Sequence, residues 1–310
     1  MHFILRALIR RGIVVAIATA AAQTFAGPTG YSVRSDVDRR LYRIDMATGE
    51  ASDLGATGFS KVEGLAINAS GELYGVNPPT AQLVKCSAAG GACTAVGTLS
   101  GLPQLQTNAG LAFASTGALY LAMNAVIYRV DPATAATAAL GGTGPALAGL
   151  AGVAPSSTCP SGLYGMGGNN DRGKFYCINI NNGVATLLGT VNGVSPLDVG
   201  LDGDLETGFV WGISNDVPGQ VFAVDPATLK ASNVNTVTID GKAIGGFESL
   251  AVARYGTMAV GDRPIAVAAN TAIVVPTLDS RSLIALMLGL ALMASRQLRR
   301  SLPHAASARK

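Results

Sequence analysis

An all-β ring of repeated four-stranded sheets, a five-bladed β-propeller, is the fold this sequence predicts. Three observations predict it, and each recurs five times. The first is a Leu, usually followed by Ala, after a small residue: Leu65-Ala66, Leu111-Ala112, Leu150-Ala151, Leu197 and Leu250-Ala251. The second is an aromatic in a Leu-Tyr-Gly-like run: Tyr31, Tyr74, Tyr120, Tyr164 and Trp211, spaced 43 to 47 residues apart. The third is a ten-residue step into a Gly or Asn: Asp45 to Gly55, Ser87 to Gly97, Asp131 to Gly141, Asn179 to Gly189 and Asp225 to Asn235.

Each step follows a run rich in β-branched and aromatic residues, such as LYRID at 41–45, IYRVD at 127–131 and VFAVD at 221–225. Alternation ended by Asp, Pro, Thr and Gly reads as a strand running into a hairpin. Asp and Asn suit the turn because their side chains bond the backbone two residues on. Pro132 and Pro226 preset φ just inside it. With the Leu-Ala and aromatic strands, a copy holds about four short strands in ~45 residues, the period of a propeller blade. One such unit cannot bury its apolar face alone, so neighbours must stack. An open sandwich or a two-sheet solenoid is the competing architecture.

The two ends of the repeat region complement each other. The first copy lacks its Leu-Ala strand, because the pattern begins at Gly30-Tyr31. The last Leu-Ala strand, FESLAVA at 247–253, has no partners after it. Joined, they complete one blade, closing the ring and removing exposed sheet edges.

The propeller is expected over residues 27–254, preceded by a signal segment at 1–26 and followed by a small-residue linker at 255–274. Arg6, Arg10 and Arg11 precede the apolar run 12–22, and Thr24-Phe25-Ala26 offers a cleavage point after Ala26, with Ala22 as the alternative. That is the layout of an exported chain's signal helix; an uncleaved anchor is the other reading. The formal charge of +3 resides in the ends. Residues 27–275 carry 13 Lys/Arg against 18 Asp/Glu, a balance of −5. Nucleic acid as a partner therefore has little electrostatic support.

Export makes the four cysteines informative. Three pairings are possible, and an even count in an exported chain favours disulfides over metal ligands. Cys86 and Cys93 flank one hairpin turn; in the fourth copy Cys159 stands before the Leu-Tyr-Gly strand and Cys177 lies in the next strand. The expected pairs are Cys86–Cys93 and Cys159–Cys177.

Both histidines, His2 and His304, lie outside the repeats. This excludes a Ser-His-Asp triad, a Cys-His pair and His-ligated zinc within the propeller. Carboxylates remain. Glu63 and Glu248 stand at equivalent positions before Leu-Ala strands of neighbouring blades, where Ala109, Ala148 and Ser195 stand in the others. Both would sit near the mouth of the central channel, able to hold a hard cation or to raise each other's pKa. Asp198, Asp202, Asp204 and Glu206, in DVGLDGDLETG, offer alternate carboxylates around a Gly that could wrap Ca²⁺, although Asp-Gly is also a hairpin signal. No other cofactor is implied. The sequon Asn68-Ala69-Ser70 and the polar run 169–173 read as turn chemistry, and the second-strand aromatics read as inter-blade core.

Residues 275–301 end the chain's recognisable organisation. Val275-Pro276-Thr277-Leu278 is followed by an apolar stretch from Leu283 to Ala294, then Arg296, Arg299 and Arg300. Twelve apolar residues span only ~18 Å as a helix, short of a ~30 Å hydrocarbon core. Motif, short apolar helix and basic cluster together resemble the IPTL-CTERM sorting domain, a relative of PEP-CTERM tails. Val replaces the family's Ile, and Asp279-Ser280-Arg281 departs from its usual Ser-Glu-Trp continuation. The resemblance implies an envelope protein of a Gram-negative bacterium, passed from the export machinery to an exosortase-type membrane enzyme. It would be held at the inner membrane, with Arg296, Arg299, Arg300 and residues 302–310 cytoplasmic, then trimmed and delivered to the surface or outside. An ordinary C-terminal anchor is the alternative.

The function expected is a non-enzymatic binding or matrix-associated module with an unidentified surface ligand. A divalent-cation-dependent, lactonase-like hydrolase using Glu63 and Glu248 is the competing expectation.

Overall fold

A computed structural model describes residues 28–102 and 109–253. Five antiparallel sheets of four strands form a propeller. The first blade carries β1 (Thr29–Val33), β2 (Arg40–Asp45) and β3 (Ala51–Ala56). The second is β4 (Glu63–Ile67), β5 (Leu73–Asn77), β6 (Gln82–Cys86) and β7 (Cys93–Thr98). The third is β8 (Gly110–Phe113), β9 (Leu119–Met123), β10 (Val126–Val130) and β11 (Thr137–Gly142). The fourth is β12 (Leu147–Gly152), β13 (Leu163–Gly167), β14 (Lys174–Ile178) and β15 (Ala185–Thr190). The fifth is β16 (Val199–Gly203), β17 (Val210–Ser214), β18 (Gln220–Asp225) and β19 (Lys230–Thr236). A small hairpin, β20 (Thr238–Ile239) and β21 (Lys242–Ala243), leads to β22 (Ala251–Val252).

The last strand closes the ring as expected. β22 pairs with β1, Tyr31 opposite Ala251 and Gly30 opposite Val252, so both ends of the propeller share the first blade. The five aromatics hold one position, opposite the Ala of the Leu-Ala pair in four blades and opposite Asp202 in the fifth. Five apolar clusters fill the five inter-blade interfaces. The second-strand aromatic of each blade faces the blade that follows.

One alignment from the sequence is corrected. The fifth Leu of the inner strands is Leu201, not Leu197. Leu201 is buried and pairs with Gly212, whereas Leu197 is 40% exposed on a loop. Val199, not Ser195, is therefore the counterpart of Glu63 and Glu248.

The ten-residue step has a physical origin. It runs from a turn-capping residue, such as Asp45, whose Oδ1 accepts the N–H of Ala47, to a β-bulge at Gly55, Gly97, Gly141, Gly189 or Asn235. The turn also contains a residue with positive φ: Gly49, Gly91, Ala135, Gly183 or Leu229. That residue packs on the bulge of the preceding blade. A Cβ on Gly183 would stand 2.4 Å from the carbonyl oxygen of Gly141. Turn length is thus set by a latch at the rim, not only by the hairpin.

Both disulfides are present, Cys86–Cys93 across one hairpin and Cys159–Cys177 beside the fourth blade. Thr29 and Ala253, where the described chain begins and ends its inner blade, lie together at one end of the ring, joined by the N–H of Ala253 to the carbonyl of Thr29. The signal segment, the Val275–Leu278 motif, the apolar stretch and the arginine cluster lie outside the described residues. Among the described residues no helix is long and apolar enough to cross a membrane.

Candidate functional site at the channel mouth

The channel wall is built from inner strands. Gly64, Gly110, Gly149 and Gly200 occupy one repeated position, and each backs onto the next inner strand. A Cβ on Gly200 would stand 2.3 Å from the Ser249 carbonyl carbon, and one on Gly64 would stand 2.7 Å from the Ala109 oxygen. Glycine is the residue that permits such backbone approach. The five inner strands leave no space between them that admits a water molecule. The fifth position is Ser249, whose buried Oγ has no hydrogen-bond partner.

Charge gathers where the inner strands begin. The Lys61 Nζ donates to Asp36 Oδ1 at 2.9 Å and Oδ2 at 3.1 Å, and lies 2.8 Å from Glu63 Oε1. Lys61 precedes β4, Glu63 opens it, and Asp36 sits on the β1–β2 loop. Glu248 leads into β22, with its N–H on the carbonyl of Val33. Its carboxyl is within hydrogen-bonding reach of Asp36. Asp198, just before β16, completes the group by its charge effect on Glu63. The ammonium of Lys61 thus contacts two carboxyls, from the first and second blades, and acts by its charge on Glu248 and on Asp198 of the fifth.

The electrostatics follow from burial. Glu63 is 3% exposed, and burial pushes its carboxyl up to about 7 against the opposing hydrogen bond and charge of Lys61. Burial pushes Glu248 up to about 8, opposed by the charge of Lys61 and reinforced by the carboxyl of Asp36. Burial also raises Asp198, against the N–H of Val199. Asp36 is held below the usual range, first by its hydrogen bond from Lys61. Burial opposes the charge on Lys61, but Glu63 and Asp36 together raise it. Oε2 of Glu63 and Oε2 of Glu248 are buried with no hydrogen-bond partner.

Glu63 opens β4 and Glu248 leads into β22, so both lie at the mouth, where the charge of Glu63 acts on Glu248. The structure does not gather the four-carboxylate set. Asp198 joins the mouth. Asp202, about 13 Å further along an extended strand, accepts the N–H of Val252 at 2.7 Å and of Gly203 at 2.8 Å. Asp204 caps the β16–β17 turn through Glu206 and Thr207, and Glu206 is part of that turn. Among the described residues no group of three or more His, Cys, Asp or Glu is placed to hold a metal ion.

Sequence reasoning missed Lys61 and Asp36. The signal for Lys61 was a basic residue two positions before a carboxylate destined for burial. Nothing in the sequence placed Asp36 near them.

No protein-family model matches the chain, and no curated protein sequence matches it significantly. Many solved chains show distant likeness, among them the two that follow. A chain of a nidogen/laminin complex is 14% identical with a TM-score of 0.48, covering 73% of this chain and 98% of that one. A chain of hydrazine synthase from Kuenenia stuttgartiensis is 13% identical with a TM-score of 0.39, covering 56% of this chain; the match spans 49% of the hydrazine synthase chain.

Proposed function

We propose that this protein is an exported, surface-sorted propeller that acts as a non-enzymatic binding or matrix-associated module, with its ligand on the channel-mouth face. One observation carries the binding half. The repeated inner positions close the channel, whereas the mouth concentrates charge and leaves buried carboxylate oxygens unpaired. Two disulfides support passage through an oxidising compartment. Residues 1–26 and 275–301 support export, an inner-membrane intermediate and processing by an exosortase-type enzyme.

The test is the intact mass of protein isolated from the cell surface or medium. Loss of residues 1–26 and of the chain beyond the Val275–Leu278 motif is the expected result. A full-length tail on protein that stays with the inner membrane would overturn the sorting reading.

The competing reading is a cation-dependent hydrolase. Its support is the pair Glu63 and Glu248, whose raised values suit proton transfer near neutral pH. Ester or lactone cleavage that is lost in Glu63→Gln would favour it.

A further inference from the structure

The mouth already shows which chemistry it accepts. Lys61 brings an ammonium into a space shared by Asp36 and Glu63, and Glu248 and Asp198 stand close enough to respond to its charge. Buried acceptors remain unused: Oε2 of Glu63, on a side chain 3% exposed, Oε2 of Glu248, and Oγ of Ser249. A buried carboxylate oxygen without a donor is costly, so a second donor of positive charge would be favoured there.

The surroundings narrow the class of donor. Val217 is 84% exposed and Val37 58% exposed, and they flank Gly245-Gly246. Leu197 is 40% exposed beside Asp198. An acidic centre with apolar neighbours suits a cation carried on an aliphatic stem. A bare metal ion fits less well, because no three carboxylates among the described residues are placed to close on one. The last described residue, Ala253, meets Thr29 at the opposite side of the ring.

We infer that the channel mouth is a docking site for a lysine-bearing segment of a partner protein, whose ammonium enters beside Lys61 among Asp36, Glu63, Asp198 and Glu248. This rests on the binding-module reading and names the partner's chemistry.

The test is titration of the purified protein with an octalysine peptide at about pH 8.5, where Glu63 and Glu248 are ionised while the peptide's lysines stay charged, and at roughly 20 mM salt, where surface charge is little screened. The wild type should bind, and Asp36→Asn/Glu248→Gln should weaken binding by about tenfold or more. Glu50→Gln/Asp240→Asn removes the same charge from exposed turns elsewhere and should change binding less than about threefold. Both double variants should keep the wild-type thermal transition within a few degrees, which separates lost binding from lost fold.

Equal loss in the two double variants would overturn the site in favour of general electrostatics. Spermine binding as tightly as octalysine would overturn the protein-segment assignment. Displacement of octalysine by micromolar Ca²⁺ would overturn it in favour of a metal site. Failure to bind octalysine would remove the ammonium site and leave the sorting reading to the intact-mass measurement.

Discussion

The wall of the channel and its mouth are built from the same five inner strands, a few residues apart, and they obey different rules. On the wall, four blades place glycine at one position, and the backbone of each strand closes on the next. At the mouth, the position just before that glycine, or before Ser249 in the remaining blade, is Glu63 or Glu248 in two adjacent blades and Ala109, Ala148 or Val199 in the others. The wall is uncharged and repeats. The mouth is charged, does not repeat, and leaves polar atoms unpaired. In a structure assembled from copies, repetition records what packing demands of every blade. Interruption marks where one blade meets some other demand.

The sharpest way to break this contrast is to put a side chain into the wall. Gly200→Val would drive Cβ to within 2.3 Å of Ser249 carbon and 2.5 Å of Leu250 nitrogen, both backbone atoms. A cost of about 4 kcal/mol or more is expected, read by urea denaturation or as failure to fold. Gly90, with open space around its Cβ position and an ordinary φ, should accept Ala within about 0.5 kcal/mol. A Gly200→Val protein of wild-type stability would mean that the inner strands do not close as described.

The next effect belongs to the mouth. Lys61→Met leaves Glu63 and Asp36 without their cation while keeping an aliphatic stem of similar length. Destabilisation of roughly 3 kcal/mol is expected near pH 8, because removing one partner strands a buried charge. At about pH 5 the loss should shrink, as the carboxyls take up protons. Chemical denaturation at the two pH values checks both statements, and an equal loss at both would contradict the burial-driven account of Glu63.

A third variant tests whether every interruption is functional. Asp202 replaces the Ala found at its position in the other blades, but its carboxylate is used, accepting N–H groups from Gly203 and from Val252 of the closing strand. Asp202→Ala should cost about 2 kcal/mol by leaving the Val252 N–H unpaired. It should leave octalysine binding unchanged, since Asp202 lies well along the strand from the mouth.

These differences also explain what could be read from the sequence. Blade number, ring closure and disulfide pairing were legible because they rest on patterns that five copies repeat, so Tyr31 and Trp211 could be aligned despite their different side chains. The fifth inner strand was misaligned for the converse reason. Asp202 breaks the Leu-Ala pair, and Leu197, a nearby Leu on a loop, mimics its position in the repeat. At the mouth, Glu63 and Glu248 were legible as a pair of equivalent positions. Lys61 and Asp36 were not, because no copy repeats them and their meeting depends on a loop reaching across a blade interface. The rim latch was visible as a fixed ten-residue step but not as a contact, since its second partner belongs to the preceding blade.

A pH dependence separates wall from mouth most cleanly, because the mouth holds two glutamates that titrate near neutral pH. Glu63 and Glu248 both rise from 4.5, to about 7 and about 8. The folded protein therefore holds protons that the unfolded chain has released. Their contribution to stability is fully present below about pH 4.5 and is lost as pH climbs through 7 and 8. Asp36 shifts downward, so its opposite contribution falls below its ordinary 3.8 and leaves this window untouched. Stability should drop between pH 5 and 8, chiefly through Glu63, because the more exposed Glu248 is discounted for solvent screening. Glu63→Gln/Glu248→Gln should flatten that slope and make the variant the more stable protein at pH 8, while Gly90→Ala should keep the wild-type slope. A slope that survives in the double Gln variant would place the titrating groups elsewhere and remove the electrostatic distinction between mouth and wall.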